Sequence, residues 1–69
     1  MTFIEATLAL TDGKQVFSSI VTNGKKEELV LINNTPFIKT PRSTGAKEDN
    51  YIFSSPNTEE ILDTNWEAL

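Results

Sequence analysis

Asn23-Gly24 commits the first half of this chain to a β-hairpin. A two-residue turn of the primed type needs positive φ at both central positions, which asparagine and glycine supply at least cost. The stretch before it, residues 15–22, is rich in β-branched and aromatic side chains: Val16, Phe17, Ile20, Val21 and Thr22. The stretch after it, residues 27–32, returns as the second strand. Its Leu29-Val30-Leu31-Ile32 run is apolar on both faces of a pleated strand, so the strand is expected in the centre of a sheet or in an interface. Lys25-Lys26-Glu27-Glu28 then reads as the solvated end of the hairpin.

Helical signals lie on either side. Thr2 and Glu5 have capping-box spacing, and Phe3, Ala6 and Leu10, widened by Ile4 and Leu8, follow at helical period. Asp12-Gly13 closes that helix, predicted at about residues 3–11. Asn33-Asn34-Thr35-Pro36 is a turn. Phe37-Ile38-Lys39 forms a short third strand, residues 41–50 read as a loop, and Tyr51-Ile52-Phe53 is a compact strand. Ser55-Pro56 opens a second short helix, with Pro56 at its first position or, alternatively, Asn57 as the cap with Glu60. Ile61 and Leu62 are expected to pack inward, and residues 66–69 to add an edge strand. The expected fold class is therefore α+β: a small, mainly antiparallel sheet with an N-terminal helix and a short C-terminal helix.

At 69 residues the chain holds one domain, residues 1–69, which reads as complete. A monomer this small buries only about 60% of its unfolded surface and is marginally stable. Cysteine and histidine are both absent, so disulfides, thiolate metal sites and histidine-dependent catalysis are excluded. Self-association is the remaining route to stability, and a homodimer or larger assembly is expected. No basic leader and no transmembrane-length apolar run are visible, which points to a soluble intracellular protein with no membrane partner.

The net charge of −4 argues against a nucleic acid polymer as partner. The charge is unevenly placed, however. Residues 29–47 contain no acid but hold Lys39, Arg42 and Lys47, a local positive field suited to a small anion. In this segment Lys39 and Arg42 would hold phosphate, Ser43 and Thr44 would add hydroxyl donors, and Gly45 would admit backbone amides. The same composition also describes an ordinary solvated loop. Phe37 and Tyr51 flank the segment; Phe37 would either stack on a base or pack in the core. Phe3, Phe17, Phe53 and Trp66 are read as core. Glu59 and Asp63 share a helical face, but acids near a helix N-terminus complement its dipole. There is no phosphate loop, nucleophile elbow, metal constellation or cofactor motif, so the chain is not expected to be an enzyme.

Two short signatures resemble a known family. Phe3, Glu5-Ala6, Ala9-Leu10, Gly13-Lys14 and Val16 look like the opening of the small phage domain typified by Thoeris anti-defence proteins. Glu60, Ile61-Leu62 and Asn65-Trp66-Glu67 resemble that family's ending. The match covers roughly a third of the chain, at its two ends. The family usually continues with an Arg and a Trp where this chain has Ser18 and Val21, and has Asp where Asn65 stands. The resemblance implies a nucleotide sponge in the host cytoplasm: a homodimer or homotetramer that binds a cyclic oligonucleotide or a cyclic ADP-ribose isomer without cleaving it. A chain of 69 residues leaves little room for an enclosed cavity, so the pockets are expected between subunits. The alternative is an acidic nucleic-acid mimic that binds a host protein through Glu27-Glu28, Glu48-Asp49 and Glu59-Glu60.

Overall fold

Helix α1 (Phe3–Thr11) starts and stops on side-chain and backbone chemistry written in its own termini. The Thr2 hydroxyl accepts from Glu5 N at 3.2 Å, and the Glu5 carboxylate accepts from Thr2 N at 2.8 Å, which completes the capping box. At the other end Gly13 adopts φ 81°. Its N–H donates to Leu10 O and that of Lys14 to Ala9 O, a Schellman closure that occupies carbonyls the helix leaves without partners.

The computed structural model describes residues 1–22, 24–41 and 51–69, with Thr22 described by its backbone alone. After α1 come β1 (Val16–Thr22), β2 (Lys25–Ile32), β3 (Thr35–Pro41), β4 (Tyr51–Ser54), α2 (Thr58–Leu62) and β5 (Glu67–Ala68). The strands form one antiparallel sheet in the order β4-β3-β2-β1-β5. This is the α+β architecture expected, with β2 central as its doubly apolar run requires. Thr22 pairs with Lys25 and Ile32 with Thr35, so both hairpin turns are two residues long. Asn33 and Asn34 have φ of 52° and 61°, the paired positive values of a primed turn. The turn predicted over residues 33–36 is thus confined to its asparagines, and Thr35-Pro36 already belongs to β3.

Between Phe17 and Val21 strand β1 advances four residues while β2 advances two, from Glu28 to Lys26. The extra residues form a bulge, in which Ser18 is fully buried and its Oγ accepts from Ile20 N at 3.0 Å. Because the insertion is even, the side-chain alternation on either side of it is preserved.

Helix α1 covers one face of the sheet. Ala6, Val16, Leu29, Ile38 and Trp66 form the buried core, with Met1, Phe3, Ala9, Leu10 and Ala68 packed around them. Val16, Leu29 and Ile38 stand directly opposite one another on β1, β2 and β3, one row across the sheet. Trp66 meets Phe3 edge-on at 6.0 Å, and its indole N–H donates to Glu60 O at 3.1 Å, so its polar atom is satisfied in the interior.

Three expectations are corrected, and of the two starts offered for α2 the Asn57–Glu60 cap is the one observed. Asn57, not Pro56, begins α2: its Oδ1 accepts from Glu60 N at 2.8 Å and its N–H donates to Glu60 Oε1 at 2.9 Å. Ile61 and Leu62 do not pack inward but are 48% and 72% exposed. The capping box turns Glu60 to the protein, where it is 7% exposed, and the five-residue helix then carries its two aliphatics outward. Phe53 is not core: it is 50% exposed, on the face of edge strand β4 away from α1. Phe17, half-buried, lies in the same row on that open face.

Candidate functional site

The open face of the sheet is built by the residues that alternate with the core. In register across it run Glu67, Phe17, Glu28, Lys39 and Phe53, from β5 to β4. The next rows place Val30 opposite Phe37 on one side and Pro41 opposite Tyr51 on the other. Glu28 and Lys39 thus stand in the middle of the sheet with aromatic neighbours, on the face that α1 does not cover.

A cavity of about 450 Å³ opens on this face, lined among the described residues by Phe17, Lys25, Lys26, Glu28, Lys39, Pro41, Tyr51 and Leu69. Lys25, Lys26, Lys39 and the Glu28 carboxylate supply its charged groups, and Phe17 and Tyr51 give it aromatic walls. Lys39 Nζ lies 4.2 Å from the centre of the Tyr51 ring and 3.9 Å from Glu28 Oε1. The first is cation–π distance. The second is an ion pair too long for a hydrogen bond. Lys26 Nζ is held at 2.9 Å by Glu67 Oε1, an exposed pair that contributes little to stability. Chemically, such a pocket accepts a flat aromatic ring with an anionic group attached.

Of the residues singled out by sequence, Lys39 lines the cavity. Phe37 is half-buried on the same face, two residues along β3 and outside the described lining. Arg42, Ser43 and Thr44 lie outside the described residues, as do Gly45 and Lys47. Pro41 and Tyr51, which flank that segment, both line the cavity and pair with each other. Phe17, Lys25, Lys26 and Glu28 were not singled out as ligand residues. A signal existed for two of them: the alternation of a strand sets Lys26 and Glu28 on the face opposite Leu29, whereas the irregularity in β1 shifts the pairing of Phe17 away from a count taken from Thr22 and Lys25.

Two of the acids near α2, Glu60 and Asp63, are engaged locally. Glu60 closes its capping box, and Asp63 Oδ1 accepts from Asn65 N at 2.9 Å. Among the described residues no group of three potential ligands is arranged to hold a metal ion, and no helix is long and apolar enough to cross a membrane. Comparison with family models, curated proteins and solved structures gave no match to this chain.

Proposed function

We propose that this chain is a phage anti-defence protein that binds a cyclic nucleotide immune messenger, a cyclic oligonucleotide or a cyclic ADP-ribose isomer, and holds it without cleaving it. The observation that carries this proposal is the pocket on the open face, where Lys25, Lys26 and Lys39 stand beside Phe17 and Tyr51. Lysines attract phosphate, and an aromatic side chain stacks on any base for about 1–3 kcal/mol. The signatures at the two ends of the chain add the resemblance to nucleotide sponges. Small-molecule sites bury about 70–90% of their ligand, and one side of this pocket is open. A second copy of the chain, in a homodimer or homotetramer, would supply the cover.

Calorimetry with cyclic dinucleotides, cyclic trinucleotides and cyclic ADP-ribose isomers tests the proposal. Micromolar binding to at least one is expected, and the ligand should be recovered unchanged after heat denaturation. No binding to any member of the panel overturns it, and a chemically altered ligand makes the protein an enzyme instead. The acidic mimic has less surface to work with than its sequence suggests. Glu60 is buried in its capping box, and Glu27 and Glu28 are half-buried in β2, where the Thr40 hydroxyl donates to Glu27 Oε2 at 3.4 Å.

A further inference from the structure

We propose that Glu28 makes the pocket selective for a ligand edge bearing two adjacent hydrogen-bond donors. This rests on the nucleotide-binding reading of the same pocket and specifies what that reading leaves open.

Glu28 is the only acid among the cavity's described lining residues. Its side chain is 19% exposed, and Lys39 Nζ approaches its Oε1 at 3.9 Å. An ionised carboxylate only accepts hydrogen bonds, with room for about four. This one makes none within hydrogen-bonding distance among the described groups. The carboxylate is therefore partly desolvated and balanced by charge, without a donor seated on it.

A phosphate entering the pocket competes with Glu28 for Lys39, whose ammonium already leans over Tyr51. As Lys39 turns to phosphate, Glu28 loses its neutralising neighbour. A ligand that brings donors to Glu28 offsets that loss; a ligand that brings a lone pair or a bare hydrocarbon edge leaves the carboxylate unmatched. Sites built to accept from a ligand reject analogues lacking the donor far more strongly than apolar pockets reject a missing methylene. Cross-strand partners have Cβ atoms about 5 Å apart, so Phe17 and Glu28, paired in register, form one aromatic surface with a carboxylate at its side. A base stacked on Phe17 would turn its edge toward Glu28.

Two common nucleotide groups present adjacent donors. Guanine does so with N1–H and its exocyclic amino group, and a ribose 2′,3′-diol with its two hydroxyls. Adenine presents one donor beside an acceptor nitrogen. The two sources separate by experiment. Calorimetry on the wild type, Glu28→Gln and Glu28→Ala would use cyclic di-GMP against cyclic di-AMP for the base, and 5′-AMP against its 2′,3′-dideoxy form for the sugar.

In the wild type at least one of these contrasts should favour the donor-bearing probe by about tenfold or more, an effect of the size that follows from leaving a charged acceptor unpaired. In Glu28→Ala the contrast should vanish. In Glu28→Gln the base contrast should vanish or reverse toward adenine, which an amide recognises in two-point fashion. Circular dichroism and the urea midpoint establish that both variants fold. If the probes bind with no contrast, or if the contrast survives in both variants, the role of Glu28 is overturned while nucleotide binding stands. If no nucleotide in this set or in the wider panel binds, both proposals fall together.

Discussion

The two faces of one sheet carry opposite kinds of chemistry, although the same strands build them. On β2, Leu29 is buried under α1 while its neighbour Glu28 turns to the open cavity. On β3, Ile38 is in the core and Lys39 stands over Tyr51. A pleated strand separates such neighbours by its geometry alone, so stability and recognition can be written into alternate residues of one segment. The arrangement depends on register, because a one-residue slip would carry Glu28 and Lys39 toward the helix and Leu29 toward water. The pairs Thr22–Lys25 and Ile32–Thr35 fix that register at the two ends of β2.

The contrast breaks if a residue of the covered face proves dispensable or one of the open face proves necessary for folding. Trp66→Ala is expected to show the largest effect, a loss of about 3–5 kcal/mol, the usual cost of emptying a buried aromatic site. In a domain this small it should leave the protein largely unfolded by circular dichroism. Leu29→Ala should cost about 2–5 kcal/mol in urea denaturation. Lys39→Ala sharpens the comparison from the other side. Its unfolding free energy should fall by no more than about 1 kcal/mol, the upper end for such an ion pair, while nucleotide affinity measured by calorimetry falls by about 1.5–3 kcal/mol.

Smaller effects belong to the helix ends. Asn57→Ala should cost about 1 kcal/mol by the same denaturation assay. Glu5 tests pH. The Thr2 backbone N–H, and then its hydroxyl, hold the Glu5 carboxyl below its ordinary value. A carboxyl lowered on folding adds stability above its unfolded pKa and loses it as pH falls through the folded pKa. The stability difference between wild type and Glu5→Gln should therefore be present at pH 7 and shrink progressively toward pH 3. A difference that grows on acidification would contradict the capping geometry.

Much of the fold was legible because short-range chemistry decides it. The α1 capping box, Gly13 and the central β2 each follow from residues within a few positions of one another. The errors came where an element's orientation depends on distant partners. Ile61 and Leu62 look like a core pair at the level of composition, but Glu60 and Trp66 together take the inward side of α2 through the capping box and the indole bond. Phe53 has the area of a core residue, yet β4 is an edge strand and its row faces the open side. Of the candidate site, Lys39 was visible as part of the acid-free basic stretch at residues 29–47. Phe17, Lys25, Lys26 and Glu28 lie on β1 and β2, far from Lys39 in sequence, and only the strand pairing sets Glu28 beside Lys39 and Phe17 beside Glu28.

The single tryptophan and single tyrosine of the chain stand in these two settings. Trp66 is enclosed beside Phe3, and Tyr51 forms a wall of the cavity beneath Lys39. The molecule thus contains two native chromophores with separate assignments. Indole emission should follow unfolding and stay nearly constant on titration with ligand. The Tyr51 ring resonances in a proton NMR spectrum should shift on addition of a nucleotide that draws Lys39 from the ring. Folding and ligand contact can then be followed in one unlabelled sample, the first by indole emission and the second by the Tyr51 ring signals.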